Sequence, residues 1–441
     1  MRSILILFLI LIINNVFITD TSIIVILTTI ALIVSYLFGI KKYQRGFISL
    51  KLIFAISFLY NIGGEAILSR SDLFHSYGEY FITAVNFMCS SAISTFIGID
   101  LYLHLKGKTK KELPGKISLN SFYINKLFTE KTSLVFAGLV ILGLFPTFLS
   151  IALYGRYSFF ETREYGDRFL LQIIQPIGYL TSSILAFKLF TLELKTGKKN
   201  LYIFLLIFIN ALFFASGSRY FLLFSLAPII FLYILKKGRA VLRVKTLIIL
   251  VICLTLPSLM VQFRSTGISV SDNTQNSESS FLGNFSREGL FEGNVFQFSR
   301  IVQHYDNKEN EHGERLIPII FFYIPRTVWP DKPTLLGYDF VHTTNTDFTD
   351  EYNSVTASFA AESFVDWGYT GGIIFNLIIG FFIGFLDFLV MRTPFSSVEL
   401  IFLIFAYPYI FFYVRSFDTS FINLVGIYVY YKLFLFTLKL K

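Results

Sequence analysis

The chain has 441 residues, of which 54% are hydrophobic and only 15% charged, and 53 are phenylalanine. A soluble domain carries roughly a quarter of its residues as charges, so the composition excludes a soluble globular protein and points to a polytopic membrane protein. The formal charge of +9 would suggest nucleic acid in a soluble chain; here it is read instead as the cation excess of cytoplasmic loops, with no nucleic-acid partner.

Helices and closed barrels are the only structures that span a bilayer. The apolar runs are long and do not alternate, which predicts an all-α integral membrane protein. About 12 apolar windows of spanning length follow in chain order, at 3–19, 21–40, 47–68, 77–103, 133–153, 169–192, 200–217, 219–235, 245–263, 368–391, 398–414 and 417–438. The first is followed at once by the second, with no small-residue cleavage site between them, so it reads as an uncleaved anchor. Cys89 and Cys253 sit inside apolar runs and make no metal-ligand spacing. Every even-numbered loop is basic: Lys41, Lys42 and Arg45; Lys106, Lys108, Lys110, Lys111 and Lys116; Lys195, Lys198 and Lys199; Lys236, Lys237, Arg239, Arg243 and Lys245; Arg392. These loops and both termini are expected in the cytoplasm. The chain thus divides into a nine-span membrane bundle (1–263), a large outer loop with short helices between spans nine and ten (264–367), and a three-span bundle (368–441). No internal repeat is evident, which weakens a transporter built from repeated halves.

Under this topology two of the 22 lysines, Lys308 and Lys332, fall outside, against 11 of the 16 arginines: Arg70, Arg156, Arg163, Arg168, Arg219, Arg264, Arg287, Arg300, Arg315, Arg326 and Arg415. The positive-inside rule treats the two residues alike, so the split needs another cause. Arginine presents a planar donor fork that grips phosphate bidentately, so an outer face rich in arginine fits a phosphorylated or acidic ligand near the membrane. Pairing with Glu161, Glu164, Asp167, Glu288 or Glu292, or with lipid headgroups, would leave the same pattern.

Arg219 closes ASGSR (215–219), an outer turn so short that the charge lies against hydrocarbon and needs a partner or a water-filled cavity. Arg415 in VRSFD (414–418) is similar, although Asp418 is near enough to neutralise it. Both are candidate lining groups of one cavity. FFYIPRTVWPDKPTLLGYDF (321–340) follows an apolar lead-in, LIPIIFFYIP (316–325), that is too short to span. Its prolines fix the backbone around Arg326, Trp329 and Lys332.

With SGSR (216–219), IPRTVWPDKP (324–333) and SFAAESFVDWGYTGG (358–372), the chain resembles the Wzy-type oligosaccharide repeat-unit polymerases, also called O-antigen polymerases. The resemblance implies a metal-independent glycosyltransferase of the bacterial inner membrane with its active site facing the periplasm and no cofactor. Its donor and acceptor would both be oligosaccharide units on undecaprenyl pyrophosphate, which is the leaving group. A chain-length regulator and a flippase would be its partners in the bilayer. Charge must be neutralised where the pyrophosphate leaves. No tight metal-binding pair is present (Asp347, Asp350 and Glu351 come nearest), so Arg219 and Arg326 are the catalytic candidates for that task. Arg156, Arg163, Arg415, Lys332, Trp329 and His342 are the candidate substrate-binding residues.

Ser358, Glu362 and Asp366 recur at i, i+4 and i+8, on one face of a helix. Carboxylates at a membrane surface among aromatics have the environment for raised pKa values, which suits a general base for a sugar hydroxyl; ion pairing with outer arginines is the competing role. Gly368, Gly371 and Gly372 then permit a turn into span ten. His304, His312 and His342 are further possible bases. The alternative enzyme is the related O-antigen ligase, which would transfer glycan to lipid A core and whose large outer loop ends in a His-x-His-Asn element before a Glu…Gly..Gly segment. HTTN (342–345) departs from that element while Glu362, Gly368 and Gly371 match, which favours polymerase over ligase. A flippase or transporter of lipid-linked oligosaccharide is the non-enzymatic alternative.

Overall fold

The computed structural model describes residues 2–16, 20–40, 49–107, 132–142, 144, 168–191, 196–215, 219–237, 293–306, 308–322, 324, 328–344, 357–393 and 398–439. Among the described residues the protein is helical, with no strand. Three helices are long and apolar enough to cross a membrane, Leu50–Leu68, Glu79–Lys106 and Phe359–Val390, and seven shorter apolar helices accompany them. The expected span at 245–263 lies outside the described residues. The chain forms two compact units.

The first unit comprises Met1–Leu113, Phe291–Met391 and Tyr409–Ile422. The Glu79–Gly107 helix is its axis, packed by Arg2–Val16, Thr21–Ile40 and Asn294–Tyr305. It meets the Phe359–Arg392 helix backbone to backbone. A Cβ on Gly98 would collide with the main chain at Leu377, and one on Gly380 with the Thr95 carbonyl. A Cβ on Gly384 would lie 2.9 Å from the Ile99 carbonyl. Small residues four apart let membrane helices approach this closely, where dispersion replaces the missing hydrophobic drive. The opposite face of the same helix presents Ile374, Ile378, Phe382 and Phe385, each 37% exposed or more. Such an exposed apolar stripe is expected of a helix long and apolar enough to cross a membrane.

Two polar devices hold this apolar bundle together. Lys51 is 3% exposed, and its ammonium spends all three donors: on Asp100 Oδ1 (2.6 Å), Ser35 Oγ (2.7 Å) and the Ser35 carbonyl (3.1 Å). Asp387 accepts from the Leu50 N–H at 2.8 Å. The second device begins at the π-helical turn Leu59–Gly63. The Asn61 carbonyl in that turn accepts from Asn294 Nδ2 at 3.3 Å. One turn on, buried Glu65 accepts from the Val295 and Phe296 N–H groups at 3.0 and 2.9 Å. The helix it caps starts at Gly293, which has no side chain to do so, so a distant carboxylate satisfies the open N–H groups.

The second unit comprises Pro114–Leu290, Arg392–Pro408 and Asn423–Lys441. Arg168–Thr191, Thr196–Ala215 and Arg219–Lys237 pack mutually around the fully buried Tyr179, Phe213 and Phe224. Gly178 lets Phe213 lie against the first of these helices, and Phe231 stacks on Tyr407 at 4.2 Å.

Candidate functional site

The Phe359–Arg392 helix is broken at Gly368, whose φ of 66° and ψ of −169° are not helical. The break falls at the first of the glycines where the sequence predicts a turn into span ten. The carbonyls of Val365 and Asp366, just before it, accept from the N–H groups of Glu311 (3.2 Å) and His312 (2.8 Å). His312 and Gly313 both have positive φ, 51° and 93°, so the chain reverses tightly here. A Cβ on Gly313 would lie 2.9 Å from the Trp367 indole, so glycine is required on two counts. Asp366 Oδ1 completes the strap by accepting from the Arg315 N–H at 3.1 Å.

The strap ends in an ion network. Arg315 Nη2 lies 2.6 Å from both Glu311 Oε1 and Asp339 Oδ2, and its Nε pairs with Glu311 as well. The Tyr305 hydroxyl donates to Asp339 Oδ2 at 3.1 Å. Burial alone would lower the Arg315 pKa, but the Glu311 hydrogen bond and the charges around it raise it above its usual range. Burial likewise raises the Tyr305 phenol. Burial, then the Lys308 ammonium, lower His304 against the opposing pull of Asp339; Lys308 Nζ lies 2.6 Å from His304 Nε2. Arg315 is thus committed to two carboxylates.

Beneath the strap lies Glu362, 1% exposed. Neither of its carboxylate oxygens has a hydrogen-bond partner among the described residues, and the same holds for the buried Trp367 Nε1. The charged groups acting on Glu362 are Asp418, Asp366, Arg315 and Glu311. Asp418 accepts from Ser416 Oγ at 2.6 Å. A row of rings runs alongside: Phe359 to Tyr413 (5.0 Å), Tyr413 to Phe417 (5.8 Å), Phe417 to Phe375 (6.3 Å) and Phe375 to Trp367 (6.3 Å). Asn376 locks the row, accepting from the Tyr413 hydroxyl at 3.0 Å and donating to Ser363 Oγ at 2.8 Å. Ser358 caps the helix through the Ala361 N–H.

No protein-family model, curated protein or solved structure matches this chain. Its functional reading therefore rests on its own residues and on the resemblance of its motifs.

The candidates from the sequence divide as follows. Glu362 and Asp366 come together, and the 415–418 turn carrying Arg415 brings Asp418 to act on Glu362. Arg415 itself is half-buried, with its N–H on the Phe412 carbonyl at 2.9 Å. Lys332 is 9% exposed and donates to the carbonyls of Phe322 (2.7 Å) and Ile324 (3.2 Å) over the Phe322 ring. These contacts tie the proline-rich loop to itself. Trp329, half-buried, meets Phe321 edge-on at 6.2 Å. Arg219 opens the Arg219–Lys237 helix in the second unit, and His342 lies in the Leu336–Thr344 helix. Arg156, Arg163 and Arg326 lie outside the described residues, as do Asp347, Asp350 and Glu351. Three other arginines of the set expected outside have ordinary partners: Arg70 pairs with Asp20 at 3.1 Å, Arg300 lies over the rings of Phe296 and Phe340, and Arg315 is held as above.

Sequence reasoning missed the Glu65 cap and the charge cluster of Lys51, Asp100 and Asp387. A charge inside each apolar run was the available signal.

Proposed function

We propose that this protein is a membrane glycosyltransferase that polymerises oligosaccharide repeat units carried on undecaprenyl pyrophosphate, at the periplasmic face of a bacterial inner membrane. The twelve-span topology with both termini in the cytoplasm belongs to this reading. One observation carries it: among the described residues the Glu362 carboxylate, buried at the head of an apolar helix, has no hydrogen-bond partner. Ionisable groups placed so expensively at membrane depth are functional by default, and an open carboxylate has the capacity of a base.

In this reading Glu362 takes the proton from a hydroxyl at the non-reducing end of the newly delivered unit. The freed oxygen bonds to the anomeric carbon of the growing chain. The bond from that carbon to pyrophosphate breaks, and undecaprenyl pyrophosphate leaves with the electron pair. The motif resemblance gives Arg219 and Arg326 the task of offsetting the charge that develops on the leaving pyrophosphate. Asp366 positions the strap over the site.

A strain lacking the gene, complemented with wild-type or Glu362→Gln protein at matched levels, tests this. The expected surface glycan is a full ladder with wild-type protein and a single repeat with the empty strain or with Glu362→Gln. A full ladder in the deletion strain would refute the proposal.

A further inference from the structure

We infer that Glu362, Asp418 and Trp367 bind the hydroxyls of the acceptor sugar, so that the acid end of the Phe359–Arg392 helix receives glycan and not pyrophosphate. The inference rests on the polymerase reading and assigns one half of its substrate to one place. Two buried acceptor oxygens on Glu362 and one buried donor on Trp367 have no partner among the described residues. A cation would satisfy the oxygens and leave the indole N–H bare. A phosphate would satisfy the N–H but meet Glu362, Asp366, Asp418 and Glu311 together. Arg315, the cation among the charges acting on Glu362, is already held by Glu311 and Asp339. A hydroxyl is both donor and acceptor and satisfies both kinds of open group.

The ring row supplies the rest of the recognition. Sugars present C–H faces as well as hydroxyls, and the half-buried Trp367 and Phe375 offer apolar ring surface of matching size. Asp418 is oriented by Ser416 Oγ, so its carboxylate is set before a ligand arrives.

Calorimetric titration of the purified full-length protein in detergent tests the assignment. One probe is the lipid-free oligosaccharide released by mild acid from the host's lipid-linked repeat unit; the other is inorganic pyrophosphate. Glu362→Gln, Asp418→Asn and Trp367→Phe should each weaken oligosaccharide binding about tenfold or more, the effect of losing a hydrogen bond to a buried polar group. Ser416→Ala should weaken it in the same direction, and pyrophosphate binding should stay within roughly twofold throughout. Trp367→Phe and Ser416→Ala change no charge, so they carry the test should a carboxylate variant fail to fold. Unchanged oligosaccharide affinity in these variants overturns the inference. So does loss of pyrophosphate affinity, or wild-type protein that takes no oligosaccharide. Each of these results leaves the polymerase reading standing if the deletion strain still collapses to one repeat; a full ladder in that strain removes the reading itself.

Discussion

Asp366 accepts a hydrogen bond from the main-chain N–H of Arg315 at 3.1 Å, while its own carbonyl takes the N–H of His312. One residue thus clamps both ends of the His312–Gly313 reversal. Asp366→Ala should leave a part-buried N–H unpaired at a cost of about 1–3 kcal/mol, whereas Asp366→Asn keeps an acceptor oxygen and should cost less. Limited proteolysis near residue 312, with melting temperature from the same preparation, measures the difference. Equal protection in all three proteins would show that the side chain is dispensable for the strap.

Glu65→Ala should free the first turn of the Asn294–Tyr305 helix, because its two oxygens serve two N–H groups there. The loss is about 1–3 kcal/mol, and Glu65→Gln, which keeps one acceptor, should lose part of it. Hydrogen exchange at the amides of Val295 and Phe296 reports it directly.

Gly380→Leu should abolish assembly of the first unit, since even a Cβ there meets the Thr95 backbone and backbone cannot swing aside as a side chain does. Gly138→Ala, where a Cβ meets nothing within 4 Å among the described residues, should be neutral or slightly stabilising by up to about 1 kcal/mol. Yield of monodisperse protein after detergent extraction separates the two.

Lys51→Met removes the cation from a buried cluster and leaves Asp100 and Asp387 facing each other without it. The expected loss is about 3–5 kcal/mol, as for breaking a buried ion pair on one side only. Adding Asp100→Asn to Lys51→Met should restore much of the melting temperature; a double variant no better than the single would show that the pair is not coupled.

Arg326→Ala should lower the polymerisation rate by about two to three powers of ten if the guanidinium stabilises the leaving pyrophosphate, with little change in melting temperature. Arg219→Lys keeps the charge but loses the bidentate fork and should also shorten the ladder, while Arg287→Lys should be mild. Rates with a defined lipid-linked repeat unit check the first, and ladder length in the complemented strain checks the other two.

The parts of the site that follow from local spacing were legible in advance. Glu362 and Asp366 sit four residues apart on one buried face, and Gly368 breaks the helix at the first of the glycines where a turn was expected. The pairing of the arginines was not legible. Arg315 finds Glu311 four residues away and Asp339 twenty-four away, and Arg300 finds rings instead of acids. A count of charges per loop cannot distinguish these fates.

The sequence by itself determined that this is a helical protein with apolar segments of membrane length, because composition and run length are properties of the chain alone. Only the tertiary structure decided which buried charges are compensated. Glu65 caps a helix 230 residues further on, Lys51 is matched by Asp100 on another helix, and Asp418 comes to act on Glu362 from a separate turn. The physical reason is range. Periodicity acts over a few residues of backbone, whereas the stability of a buried charge depends on whatever packing brings within a few ångströms of it.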